Sequence, residues 1–231
     1  MVNLLNIVML GLVSFFADIS SEMVYPLIPL YLTGVFGATP ALVGVMEGIA
    51  ESTASLLKVY SGYLTDKYQR KKPIAFVGYA AGLVYKAALL IASSWSGVLL
   101  ARVVDRLGKG IRTTPRDVMV SDSANRENLG KAFGVHKSLD MLGSALGILL
   151  AYLLLRGMAQ GQADFKRIFL ISLIPAALSL MMFLFIREKR EKRLAGPRER
   201  FWLQAGKLDR QLKLYLGITF LFTLGNSSNT F

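Results

Sequence analysis

Five ionisable side chains stand in stretches of this sequence that are otherwise almost wholly apolar. Asp18 and Glu22 are four residues apart, Arg102 and Asp105 three apart, and Asp140 lies in a further apolar stretch. Groups three or four residues apart share one face of a helix. Carboxylates on such a face can take up a proton or a cation, and an arginine beside them supplies the counter-charge. If these stretches cross a bilayer, each charge near the centre costs about 2.5 to 3.5 kcal/mol even on the lenient insertion scale, so it persists only when paired or when lining a water-filled path.

Other charges surround these five. Glu47, Glu51 and Lys58 fall in a second stretch and Lys86 in a third; Arg106, Lys109, Arg112, Arg116 and Asp117 follow Arg102 at helical spacing. Two readings compete. Interhelical ion pairs and snorkelling toward the membrane surface account for Arg112, Arg116, Asp117 and Lys58. A polar transport pathway accounts for Asp18, Glu22, Arg102, Asp105 and Asp140. For Glu47, Glu51 and Lys86 both readings stand. His136, about two turns from a span end at 1.5 Å per residue, is expected to be solvated and structural.

The chemistry of an enzyme is poorly represented. The chain has no cysteine and one histidine, and contains neither Gly-x-Ser-x-Gly nor His-Glu-x-x-His, which removes thiolate, nucleophile-elbow and histidine-rich metal chemistry. No metal and no cofactor are expected. An intramembrane enzyme would have to work with buried carboxylates alone; a non-transporting membrane scaffold is the remaining rival.

The elements that position these residues follow from hydropathy. Of the 231 residues 53% are hydrophobic, and the mean hydropathy is +0.46. Apolar stretches near Leu4–Leu32, Pro40–Tyr63, Pro73–Ser93, Trp95–Val120, Leu129–Leu155 and Ile168–Ile186 each meet the roughly 20 residues a helix needs to cross the hydrocarbon core. The fold class is an all-α membrane protein. A seventh stretch, Leu214–Phe231, runs to the last residue, and we expect a truncated helix there. The first span lacks a cationic leader and is expected to be retained.

Charge sets the orientation. The formal net charge is +12, and sixteen lysines and arginines fall between spans two and three, four and five (with Lys131 at the first turn of span five), and six and seven, against three on the other side. Basic residues are retained on the cytoplasmic side, so those connections and the N-terminus are expected inside the cell, in a multi-pass protein of the cell (inner) membrane. The basic excess then reports topology, with no nucleic acid as partner. The organisation expected is a transmembrane bundle over 1–186, a basic cytoplasmic linker over 187–213 and a partial seventh helix over 214–231. In the linker, Phe201, Trp202, Leu208 and Leu212 among basic residues fit a helix lying on the membrane surface, and a disordered linker fits as well.

Pro26 and Pro29 interrupt the first span; proline removes a backbone donor and bends a helix, and near Asp18 and Glu22 the bend is expected to line the path. Gly134, Gly143 and Gly147 in the fifth span and Gly108 and Gly110 in the fourth are packing residues, because small side chains let helices approach closely.

These residues resemble the Major Facilitator Superfamily, over essentially the whole chain. The strongest element is the stretch after span two, in which Gly62, Asp66, Lys67, Arg70 and Lys71 match the family's loop pattern, with Gln69 where a second glycine is usual. Pro26-Leu-Ile-Pro29 resembles the first-helix Pro-x-x-Pro of drug–proton antiporters. Arg102 with Gly108 and Gly110 is similar to the fourth-helix pattern linked to proton coupling, although Arg106 replaces a glycine. Gly134, Gly143 and Gly147 fit the fifth-helix antiporter pattern, with Ile148 in place of its proline.

The resemblance implies an N-terminal six-helix bundle of two inverted three-helix repeats, opposed in the complete transporter by a C-terminal six-helix half across a midplane site. It implies that Gly62–Lys71 acts as a gate. It further implies proton-coupled efflux of a small organic solute or drug, with Asp18, Glu22 and Asp140 as proton or cation sites and Arg102 as their partner. A uniporter or an organic-anion transporter of the same fold is the alternative, the latter favoured by the basic face of the fourth helix. The partners expected are the lipid bilayer, protons, the small-molecule substrate and the missing half.

Overall fold

The computed structural model describes residues 4–68, 70–158, 161–188, 209–211, 213–215 and 217–218, with the side chains of 55, 56, 59 and 66–68 left aside. The chain divides into two compact units, Met1–Arg190 and Glu191–Phe231. Among the described residues there is helix and no strand.

The first unit contains α1 (Leu4–Glu22), α2 (Leu27–Phe36), α3 (Pro40–Tyr68), α4 (Lys71–Ile91), α5 (Trp95–Asp122), α6 (Leu129–Leu155) and α7 (Gln162–Leu184). The expected first span is two helices. Around residues 23–26 the hydrogen bonds tighten, with the Val24 N–H reaching Ser21 O and the Leu27 N–H reaching Val24 O. Pro26 then precedes the first residue of α2. This proline, which has no N–H to give, sits at the break, while Pro29 falls in the first turn of α2, where a missing donor costs little. Gly37 ends α2 at φ 65°, a left-handed conformation that suits glycine. Thr39 Oγ1 then accepts from Leu42 N at 3.3 Å to start α3, and Ser94 Oγ caps α5 through Gly97 N at 3.2 Å.

Among the described residues, four segments are long and apolar enough to cross a membrane: α1 with α2, α4, α6 with its preceding turn, and α7. The other two helices, α3 with 29 residues and α5 with 28, have ample length at 1.5 Å per residue, but their ionisable residues dilute the apolar signal. The sixth span begins earlier than expected, at Gln162, because Asp164 Oδ2 accepts from Gly161 N at 3.3 Å and supports a first turn that hydropathy alone misses.

Helix contacts form a ring. α3 packs on α5, α5 on α4, α4 on α7, α7 on α1 and α1 on α6, while α1 and α6 meet α5 only sparsely. Taking α1–α2 as span one, exchange of spans one to three with spans four to six maps this ring onto itself: α1 on α6 becomes α5 on α3, α1 on α7 becomes α5 on α4, and α4 on α7 is unchanged. That is the contact pattern of two inverted three-helix repeats.

Two apolar clusters lie along the bundle, one around Tyr31, Leu89, Val98 and Phe169, the other around Leu10, Tyr79, Val120 and Phe183. On α1, α5 and α6 charged residues, Asp18, Arg102 to Asp117, and Lys137 with Asp140, fall between the residues of the two clusters, so on these three helices a charged layer lies between them. Leu142, Leu146, Leu149, Leu150 and Leu153 on α6 are exposed. Of the second unit, the described residues of 210–218 are helical and exposed. The expected surface helix with Phe201, Trp202, Leu208 and Leu212, and most of the expected seventh span, lie outside the described residues.

Candidate functional site: a charged layer between helices

α5 carries the charges because its residues recur every three or four positions and so fall on one face. Arg102 is 1% exposed. Its Nε and Nη2 donate to Glu47 Oε1 and Oε2 at 2.8 and 3.0 Å, and its Nη1 donates to Asp105 Oδ2 at 3.2 Å. One turn on, Arg106 reaches Glu51 at 3.2 Å and Asp105 at 4.0 Å. Glu47 and Glu51 are four apart, as are Arg102 and Arg106, so α3 and α5 run side by side with two ionic rungs. The charges that hide these spans from a hydropathy scan are the ones that join them. Tyr25, in the break between α1 and α2, lays its ring 4.3 Å from the Arg102 guanidinium and 5.1 Å from that of Arg106.

Where α1 and α6 meet α5 sparsely, a cleft opens, lined by Asp18, Ser21, Glu22, Tyr25, Arg102, Asp105, Arg106, Lys109 and Arg112. The carboxyl groups of Asp18 on α1 and Asp140 on α6 lie close enough to act on one another. Asp140 also holds Lys137 and lies 3.9 Å from Arg116, which pairs with Asp117 at 3.0 Å. A hydrogen bond between two carboxyl groups requires a proton on one of them, since a carboxylate only accepts. Asp18, Glu22, Arg102 and Asp105 thus converge on one cleft, with Asp140 at its edge.

Two expectations are corrected. His136 is buried, 3% exposed, with a ring nitrogen 3.1 Å from Ser14 Oγ; it is held in the bundle and not solvated, because α6 turns that face onto α1. Arg112, expected to pair or snorkel, is 5% exposed, lies over the Tyr79 ring at 4.9 Å, and has no carboxylate within ion-pair distance among the described residues.

The expected gating stretch is mostly helix. Gly62, Asp66 and Lys67 belong to the last turns of α3 and Lys71 begins α4, so the connection is shorter than a loop over Gly62–Lys71. The side chains of Asp66 and Lys67 lie outside the described residues, and Arg70 is exposed. Lys71 pairs with Asp122 at the end of α5. Glu188 accepts from the backbone N–H groups of Lys71 and Lys72, and Lys72 Nζ donates to the carbonyls of Leu184 and Ile186 at 2.8 and 2.7 Å. Asn6 adds a bond to Ser123 Oγ at 2.7 Å and accepts from Arg187 N at 3.1 Å. These contacts clasp the ends of α1, α4, α5 and α7.

The glycines separate. A Cβ on Gly143 would collide with the Phe15 carbonyl, and one on Gly147 would lie 2.6 Å from Ile19 O, so both let α6 press on α1; Gly134 has nothing within 4 Å. Tyr25, Tyr79, Ser14, Asn6 and Glu188 were not singled out from the sequence. Tyr25 sits three residues past Glu22, the helical step that marked the acids, whereas Glu188 lies inside a run that reads as solvated charge.

The Major Facilitator Superfamily model matches residues 10–231. An uncharacterized MFS-type transporter of Methanocaldococcus jannaschii is 34% identical over 98% of this chain and 55% of its own length. A probable 4-methylmuconolactone transporter of Cupriavidus pinatubonensis is 26% identical over 72% of this chain and 40% of its own. The inner membrane transport protein YajR of Escherichia coli is 30% identical over 58% and 28%. The chain spans about half the length of the first of these relatives and less of the others. Among solved structures, a peptide transporter POT in complex with sulfate superposes with a TM-score of 0.67 at 18% identity, over 98% of this chain and 47% of that one.

Proposed function

This chain belongs to the Major Facilitator Superfamily, and from that premise we propose that it is one half of a secondary transporter coupling proton movement to the export of a small organic solute or drug. The observation that carries this reading is the meeting of Asp18 and Asp140 across two helices beside a charged cleft. Such a pair holds a proton in one state and, when α1 and α6 shift or the cleft hydrates, releases it. Arg112 and Arg116 stand near enough to act on the carboxylate that forms. Arg102 and Asp105, fixed by Glu47, Arg106 and Tyr25, form the wall, and Glu22 faces the solute.

The clasp at Lys71, Asp122 and Glu188 supports a gate at the end of the bundle where the chain starts, which we place on the cytoplasmic side. Residues 187–213 would then form a cytoplasmic linker to a seventh span from 214. A relative that is a probable 4-methylmuconolactone transporter is in keeping with a small organic solute, and one named an inner membrane protein with the location.

The test uses the whole transporter in energised inside-out vesicles with a pH-sensitive dye and a mixed panel of organic cations and anions. Solute-triggered proton release is expected in the parent and absent in Asp18→Asn and Asp140→Asn. Release that persists in both variants, or a folded parent silent across the panel, removes the proton-coupled reading.

A further inference from the structure

Beside the cleft lies a second, smaller pocket, lined by Ala17 and Ser21 of α1, Tyr79, Gly82 and Lys86 of α4, Arg112 of α5, and Ala176 and Ser179 of α7. Two of these side chains are cations withdrawn from solvent. Lys86 is 1% exposed and Arg112 5%. The Lys86 ammonium has three N–H donors and uses one, to Gly82 O at 3.2 Å; the Tyr85 ring lies 5.4 Å away. Arg112 donates no hydrogen bond among the described residues and rests on Tyr79. Among the described residues neither cation has a carboxylate within 4.0 Å. The carboxylates whose field reaches Lys86 are Asp105 and Asp18. Asp105 is already divided between Arg102 and Arg106, and Asp18 is engaged with Asp140.

A buried cation without a partner is costly, and two facing one space make that space attractive to negative charge. Gly82 keeps the space open. A Cβ built there would lie 3.3 Å from Arg112 Nη1 and 3.9 Å from Lys86 Nζ, that is, between the two cationic groups. Ser21 and the Tyr79 hydroxyl add polar lining, while Ala17 and Ala176 keep the walls short.

We infer that the Lys86–Arg112 chamber is a binding site for a compact monovalent anion, a halide or the carboxylate of a small organic molecule, held by both cations over Gly82. Arg112 also acts on Asp18 of the proton reading, but the site does not rest on that reading, because the experiment below follows anion binding and not proton release. An anion there completes the donors that the protein leaves unused and offsets charge that Asp105 alone does not balance.

The experiment is performed on the purified chain in detergent, at constant ionic strength, exchanging gluconate for chloride or formate. Chloride and formate are expected to raise the unfolding temperature with a saturable dependence, and ³⁵Cl resonance broadening should be reversed by formate. Gly82→Ala, which changes no charge, is expected to weaken this chloride dependence about tenfold or more. Lys86→Met is expected to abolish it and to unfold at or above the parent's temperature in gluconate. Competition by chloride and formate alone assigns the site to a free small anion; competition by benzoate as well assigns it to the carboxylate end of an organic molecule. A melting temperature that tracks ionic strength regardless of anion, absence of broadening in the parent, or an undiminished chloride response in Gly82→Ala overturns the inference. In that case Asp105 and Asp18 suffice as counter-charges.

Discussion

The Arg102 guanidinium grips Glu47 through two hydrogen bonds, Nε to Oε1 at 2.8 Å and Nη2 to Oε2 at 3.0 Å. This two-pronged contact fixes distance and orientation together, so it sets how α3 lies on α5. Its energetics are lopsided, because the arginine side chain is 2% exposed and the glutamate 26%. Removing the acid strands a buried cation, whereas removing both charges removes the desolvation as well. Glu47→Ala is expected to cost about 3 kcal/mol. The double variant Glu47→Met with Arg102→Met should unfold at a higher temperature than either single variant. Thermal unfolding in detergent checks this, and strictly additive losses would refute it.

Gly147→Ala is expected to destabilise by about 1 to 3 kcal/mol through overpacking, because the added carbon would sit 2.6 Å from Ile19 O. Gly134→Ala belongs to the same sequence pattern but has open space around it, and should stabilise α6 by up to about 1 kcal/mol. Opposite signs in denaturation experiments are the expected result.

Glu188 accepts from both leading N–H groups of α4 that begin at Lys71, the work of a helix cap. Glu188→Ala is expected to cost about 1 kcal/mol and to speed amide hydrogen exchange in the first turn of α4. Exchange at the Ser94-capped start of α5 should stay unchanged. Equal acceleration at both places would show a global effect instead of a local cap.

Tyr25 covers two guanidinium groups, a contact worth about 0.5 to 2 kcal/mol for each desolvated cation. Tyr25→Phe keeps the ring and is expected to be nearly silent in unfolding temperature, while Tyr25→Leu is expected to lower it by several degrees. If the two variants behave alike, the hydroxyl or the bulk of the side chain is what counts.

Much of the architecture was legible because hydrocarbon permits so few solutions. Long apolar runs became helices, and α6 appeared at Leu129–Leu155 as expected. The break at residues 23–26 was foreshadowed by Pro26, yet its position inside the charged layer came from packing. The site was legible in residue type and only partly in partnership. Arg102 and Asp105 stood out by spacing, but Glu47 and Glu51 are fifty-odd residues away in sequence, and no local periodicity shows that their register matches Arg102 and Arg106. Arg112 looked like an ordinary snorkelling or pairing charge and Lys86 was left open between pairing and the pathway, because emptiness around a side chain leaves no trace in sequence. His136 was misplaced for a related reason: depth along a helix was legible, but not which face meets α1.

The glycine contacts also distribute stiffness unevenly around the ring. Gly143 and Gly147 press α6 onto α1, while Gly78 and Gly108 leave α4 and α5 so close that a Cβ on either would meet the other's carbonyl at 2.6 or 2.7 Å, and Gly110 does the same for α5 against Ala54 of α3. Backbones in such contact move as single bodies, which makes one stiff plate of α1 with α6 and another of α3, α4 and α5. α7 is tied to the first plate by Ser179 Oγ to Val13 O and by Ser20 Oγ to Ser172 O, at 2.8 and 2.6 Å, and to the second by Lys72 Nζ to Leu184 O and Ile186 O at 2.8 and 2.7 Å, beside ring contacts of Phe183 with Phe76 and Tyr79. The compliant line of the unit therefore runs along the sparse seam of α5 with α1 and α6, and parting or closing there widens or narrows the cleft that Asp18 and Arg112 line.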